Sequence, residues 1–306
     1  MSLRHFFRRL LGRRGQTLGW KSAPGTDSQA SPFAGLRIKH TCFLQPDHPD
    51  DAFLFDEQPW RAPDTVALHY PEQDCVVIRD PFSGEAARFI EWKSDQALLP
   101  LFGDWKGTGR TGMGFYHADS AEAILYADLS FTSPSFRFLF GKPGSGWWPM
   151  VGDWDGDGRE TLGLFDPESR LFMLHNRHED GLPELFFPYG PPRSNWLPMA
   201  GNWGTARKDS VGLYDPNDRL FWLKHEPLDG LPDLMIRSQV TGETLLPIAG
   251  DWEGRGHDTV GLYDPERGIF YMNSRVDGRE RAFGFGPPGL DARPLVVSWD
   301  DTLRVQ

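Results

Sequence analysis

The chain of 306 residues contains no apolar run near the ~18 residues that a membrane-spanning helix requires. It has only two cysteines, Cys42 and Cys75, which form neither a disulfide framework nor a zinc site. They read as two buried thiols, or as a single bridge if their strands are neighbours. No ten-residue stretch of the repeated region is free of Gly, Pro and turn clusters, which excludes a helical solenoid. Walker A, H-E-x-x-H and G-x-S-x-G patterns are all missing. Acid is absent from residues 1–26, which carry Arg4, Arg8, Arg9, Arg13, Arg14 and Lys21, so all 43 acidic residues follow that tail. An acidic body repels phosphate backbones, and nucleic acid is therefore not an expected partner.

The chain is rich in turn formers, with 34 Gly and 26 Pro, and in bulky core material, with 12 Trp and 22 Phe. These residues are ordered by a repeat. "PLFGDWKGTGRTGMGFY" begins at Pro100, "PMVGDWDGDGRETLGLFDP" at Pro149, "PMAGNWGTARKDSVGLYDP" at Pro198 and "PIAGDWEGRGHDTVGLYDP" at Pro247. Their tryptophans, Trp105, Trp154, Trp203 and Trp252, follow one another at 49 residues, and "PLVVSWDD" adds Trp299 after a further 47. A worn copy, "DTVALHYPEQDCVVIRD" from Asp64, matches "DTVGLYDPERGIFYMNS" from Asp258, with "AFLFDEQPW" where "PIAGDWEGR" would stand. A period of this length indicates a propeller, solenoid or array.

Each copy reads as four short strands separated by turn chemistry. "LFML" (171–174), "LFWL" (220–223) and "IFYM" (269–272) are apolar on both faces and must be covered on both. Four-stranded sheets stacked face to face around an axis provide that cover and leave few open edges. The expected fold is all-β: a β-propeller of five to six four-stranded blades. Its copies lie near 52–99, 100–148, 149–197, 198–246 and 247–293, and residues 294–306 close the ring with 33–51 through the strand "GLRIKHTCFL". Residues 1–32 read as a basic tail and flexible linker. The Trp column supplies wedges between blades. Gly114, Gly163, Gly212 and Gly261, with Ala67 in the worn copy, suit a crowded inner strand. Pro167, Pro216 and Pro265 stop it.

The chemistry-bearing candidates sit in the turns. Asp153, Asp155 and Asp157 alternate in "DWDGDG", with Glu160 close behind, and hard oxygens at alternate positions suit Ca²⁺. The twelfth residue is Leu164, so the loop is no EF-hand. The other copies lose the set: Lys106 and Thr108, Gly204 and Ala206, and Arg255 break it. The motif is therefore first an architectural turn, and in the one acidic copy it is either a calcium loop or a solvated turn. "GTGRTG" (107–112) mimics a dinucleotide fingerprint, but it aligns with the turn "GDGRET" and precedes no helix. His175 and His178 in "LHNRHED" read as a solvated polar loop rather than a metal or acid–base cluster.

At "GDWDGDG" followed by a "GLYDP" strand the chain resembles the FG-GAP/VCBS-type repeats of integrin-like propellers, over residues 52–306. The resemblance implies a propeller, a calcium loop between the first two strands of a blade where the acids are present, and a role in adhesion or partner binding. It implies no catalytic set, so the expected function is a non-enzymatic module that grips a protein partner with its loops. A glycan-binding propeller is the alternative, and a carbohydrate-active hydrolase is the third reading. Trp147, Trp148, Trp196 and Trp222 either face the ligand or pack between blades. "MSLRHFFRRLLGRRG" has Phe6, Phe7, Leu10 and Leu11 at helical spacing with arginines opposite. It reads as a disordered tail, as a weak contact of residues 1–20 with an anionic membrane, or as a segment docking to an acidic groove. Arginines interrupt its apolar stretch, so it is no signal peptide, and a cytoplasmic, membrane-peripheral location is the expectation.

Overall fold

A computed structural model describes residues 62–204, 207–273 and 280–303. The tail and linker, the proposed strand 35–44, "AFLFDEQPW" and Cys42 lie outside these residues. So do the closure by 33–51 and the membrane contact expected of residues 1–20. Cys75 is buried in the second strand of the chain.

Among the described residues twenty strands form five four-stranded antiparallel sheets. The second sheet comprises β4 (Leu98–Gly103), β5 (Gly112–His117), β6 (Glu122–Tyr126) and β7 (Phe136–Leu139). The third holds β8 (Trp148–Gly152), β9 (Thr161–Asp166), β10 (Leu171–Leu174) and β11 (Leu185–Pro188). The fourth holds β12 (Leu197–Gly201), β13 (Ser210–Asp215), β14 (Leu220–Leu223) and β15 (Leu234–Arg237). The fifth holds β16 (Leu246–Gly250), β17 (Thr259–Asp264), β18 (Ile269–Asn273) and β19 (Glu280–Gly284). In each, neighbours in sequence are neighbours in the sheet.

The first sheet is assembled differently. Its order is β20 (Arg293–Val297), β1 (Thr65–Tyr70), β2 (Cys75–Arg79), β3 (Ala86–Glu91). The C-terminal strand fills the place of the missing first strand, pairing Val297 with Thr65 and Arg293 with His69. "PLVVSWD" is thus not the start of a sixth copy; it completes the first. The leading strands β4, β8, β12, β16 and β20 each neighbour the next, and β20 neighbours β4. A closed cycle of five sheets, each joined to the next through its first strand, is a five-bladed β-propeller.

Burial follows from that cycle. Every residue of β1, β5 and β13 is buried, because a sheet lies on either side. The apolar clusters lie between blades. Trp105 and Leu101 of the second blade pack with Leu162, Leu164 and Met173 of the third. Trp154 packs with Val211 and Leu213, and Trp203 with Val260 and Leu262. The glycine column occupies the second strand of each blade, not the innermost one, and the third strand imposes its smallness, through a backbone carbonyl at Gly261, where a Cβ would meet Tyr271 O at 2.8 Å, and through leucine side chains elsewhere. A Cβ on Gly114, Gly163 or Gly212 would meet the cross-strand Leu125, Leu174 or Leu223 at 2.4, 2.9 or 2.6 Å. The Asp that ends the second strand folds the next turn: Asp166, Asp215 and Asp264 accept the N–H groups of Glu168, Asn217 and Glu266.

Alternation of strand direction sorts the loops. The turns joining first to second strands and those joining third to fourth strands share one end of the ring. The "DP" turns occupy the other.

Candidate functional site

The "GDW" turns carry two kinds of bond. The first is internal. Asp153 Oδ1 accepts the N–H groups of Gly156 and Asp157, and Oδ2 accepts that of Gly158. Asp104 and Asp251 do the same for Gly109 and Gly256 in copies without the other acids. The repeated Asp is therefore a turn former in its own right.

The second bond joins blades. The N–H of Asp153 donates to Asp209 Oδ2 (2.8 Å) of the next blade, and the N–H of Asp209 donates back to Asp153 O (2.7 Å). Asn202 pairs likewise with Asp258, Asp251 with Asp64, and Asp104 with Glu160. At the fifth junction Thr111 replaces the acid. Its N–H donates to Asp300 Oδ2 (2.9 Å) and its hydroxyl donates to Ser298 O. The four clasp carboxyls face one another around the axis: Glu160 of the third blade feels Asp209 of the fourth and Asp64 of the first. Burial, then mutual repulsion, pushes Asp64 up to about 7 and Glu160 up to about 8. Burial pushes Asp209 up to about 6, and Asp258 rises well above the carboxylate range for the same two reasons.

The expected metal residues divide. Asp153, Asp155 and Asp157 come together, each offering an oxygen within 4.8 Å of the others. Glu160 does not join them; its carboxylate is the clasp on Asp104 N–H. Three carboxylate oxygens on one glycine-rich turn are a donor set that fits a hard cation such as Ca²⁺. Arg159 competes for it, since its Nε donates to Asp157 Oδ2 (2.8 Å) and holds that carboxyl below its usual range.

The histidine loop is solvated at most of its positions, but its two histidines turn inward. His175 is buried and stacked on Phe140, with ring centroids 4.9 Å apart. Its Nε2 donates to Glu179 O (2.9 Å), and Nδ1 lies 2.6 Å from Glu184 Oε2. Burial alone would lift the Glu184 carboxyl, but Asn176 N–H and His175 hold it below the usual range. His178 Nε2 donates to Trp105 O of the second blade (3.1 Å), and its ring packs on Phe136 at 4.4 Å. Burial pushes His178 down to about 4, so it is neutral at pH 7. Asp180 accepts the N–H of Leu139 (2.7 Å) at the outer edge of the second blade.

This loop and the acidic turn therefore bound one space. A cleft of about 520 Å³ opens between the second and third blades, walled by Asp155, Asp157, Asn176, Arg177 and His178, with Phe136 beside them. Of the tryptophans outside the repeat column, Trp196 stacks on Trp222 at 5.1 Å and Trp147 packs into the interblade core. Trp148 is partly exposed.

No family model and no curated protein matches the chain. Among solved structures it is similar to a protein of unknown function from Bacteroides caccae, at 10% identity and a TM-score of 0.42, covering 73% of each chain. It is also similar to BBS1N, solved in complex with ARL6DN, at 10% identity and TM-score 0.33, covering 75% of this chain and 72% of that one. A third is KlHsv2 with loop 6CD replaced by a Gly-Ser linker, at 8% identity and TM-score 0.36, covering 70% and 79%. The strand order described above, not these likenesses, establishes the propeller.

Sequence reasoning overlooked the clasp acids. Their signal is present: Glu160, Asp209 and Asp258 recur at the spacing of the tryptophans, each directly before a second strand.

Proposed function

We propose that the protein is a non-enzymatic binding module of the FG-GAP/VCBS type, which takes a protein partner at the cleft between its second and third blades. The observation that carries this reading is the convergence there of two loops whose side chains are fixed from below. The third-to-fourth-strand loop is tied by His175, Glu184 and Asp180, and the acidic turn by Asp153. Preorganised polar groups around a concave site lose little entropy when a ligand arrives. The clasp acids, by contrast, each hold a neighbouring blade, and that use accounts for their placement.

Ca²⁺ at Asp153, Asp155 and Asp157 would neutralise one wall of the cleft. Titration calorimetry should give heat with the wild type and none with Asp155→Ala; equal heats would remove the cation from the account. A photo-crosslinking residue at position 177 should yield discrete protein adducts in cell extract, and one at position 168, on the opposite end, should not. Equal yields from the two positions would refute the cleft. The acids beside Phe136 also support a glycan reading, which a glycan array with the wild type and Asp155→Ala tests.

A further inference from the structure

The cleft between the second and third blades has a chemical preference, and the inference drawn from it rests on the reading of that cleft as the binding site. Four carboxylates line it, Asp155, Asp157, Glu179 and Glu184, against two guanidinium groups, Arg159 and Arg177. His178 adds no charge at pH 7, since burial keeps it neutral. Both arginines are engaged within the wall. Arg159 Nε and Nη2 donate to Asp157, while Arg177 Nη1 donates to Glu179 Oε1 (3.1 Å) and its Nε lies 3.4 Å from Glu184. Glu184 also meets His175 at 2.6 Å. One carboxylate is left over. Asp155 is exposed, accepts the N–H of Asp157 (3.1 Å), and has no ion pair among the described residues.

The hydrogen-bond balance leans the same way. Asn176 Oδ1 and His178 Nδ1, both on lining residues, are buried acceptors without a donor. His178 has no proton to offer there, because the neutral ring gives its one N–H to Trp105 O (3.1 Å). No residue that lines the cleft holds a buried donor in want of an acceptor. Unshared lone pairs in a recess add negative potential to that of the carboxylates. They are a sign, independent of the acids, that the cleft suits a group that donates. Beside them Phe136 packs on the His178 ring, centroids 4.4 Å apart, and offers an apolar face to an aliphatic stem.

A guanidinium reads carboxylates with a planar fork, and Arg159 and Arg177 already hold the carboxylates beside them in that way. An ammonium is compact, carries three donors and no acceptor, and reaches into a recess on a flexible stem. We infer that the cleft takes a lysine side chain of a protein partner, with its ammonium beside Asp155 and its methylenes along Phe136. Ca²⁺ at Asp153, Asp155 and Asp157 would claim the same carboxylate, so the two cations exclude one another and the test is run in chelator.

N-acetyl-lysine amide titrated into the full chain should move the backbone NMR signals of Asp155, Asn176 and His178 to saturation. Its neutral counterpart, acetylated at Nζ as well, should bind about fivefold more weakly, the worth of one good exposed ion pair. Asp155→Asn keeps an oxygen for the Asp157 N–H and should weaken the lysine probe by the same factor. Glu168→Gln makes the same change of net charge at the opposite end of the ring and should leave the affinity unaltered. Excess lysine probe should also suppress the protein adducts formed from position 177. Equal affinity for the two probes, tighter binding of N-acetyl-arginine amide, or equal effects of the two substitutions overturns the inference. If the adducts at position 177 persist in such a case, the cleft keeps its role with a different occupant. Adducts no more abundant at position 177 than at 168 remove the cleft itself, and the lysine with it.

Discussion

A chain truncated after Ala292 loses cooperative folding. The deletion removes β20, and with it five paired positions along β1, from Thr65↔Val297 to His69↔Arg293. It also removes Val297, Trp299 and Leu303, all buried in the cluster that joins the first blade to the second. Replacing one buried Trp by Ala costs about 3–5 kcal/mol, and a whole domain has only about 5–15 kcal/mol in hand. Losing the strand also opens the cycle, leaving β1 as a buried edge with its N–H and C=O groups unpaired. The milder Trp299→Ala should remain folded, with a melting temperature lower by roughly 10 °C. A truncated chain that melts as the wild type does would show that the ring is closed by something other than β20.

Stability falls as pH rises from 6.5 to 8.5, and the axial clasp is the reason. Asp64 and Glu160 are raised in the fold to about 7 and about 8 from 3.8 and 4.5. A raised acid binds its proton in the folded chain while the unfolded chain has released it. Its contribution is therefore full below the unfolded value and disappears as pH passes the folded one. Buried histidines act in the opposite sense at lower pH. His69 and His178 are held neutral, both pushed down to about 4 by burial, which favours the fold increasingly up to about pH 6.5 and not beyond. Above 6.5 the acids act alone, and the loss is on the order of 2–3 kcal/mol by pH 8.5. Glu160→Gln keeps an oxygen for Asp104 N–H and removes the charge. It should raise the melting temperature at pH 8 and flatten the slope; a wild-type profile that is flat or rising over this window would contradict the clasp.

The columns of the repeat made the blades legible, because each strand's apolar pattern and each turn's Asp and Gly act locally. The first blade was not legible in full. "AFLFDEQPW" stands where the first strand of that copy belongs, yet the place is taken by Arg293–Val297, more than two hundred residues downstream. Ring closure is a property of the cycle, and a local pattern carries no trace of it. The two histidines of the exposed loop were misread for a related cause. "HNRHED" is polar, and what buries His178 is Trp105 and Phe136 of the preceding blade. Glu160 lies three residues from the acidic turn in sequence, but its partner, Asp104, is 56 residues back. The repeat showed which acids recur; only the neighbouring blade shows what they hold.

The claim beneath all of this is that the "GDW" turns are joints between blades, and backbone hydrogen exchange measures it directly. The N–H groups of Asp104, Asp153, Asn202 and Asp251 lie in surface turns but donate to the next blade. They should exchange as slowly as the second strands, with one common opening free energy, because a ring yields at all its joints together. Exchange at the rate of ordinary exposed turns would show that these turns only decorate the blades and do not connect them.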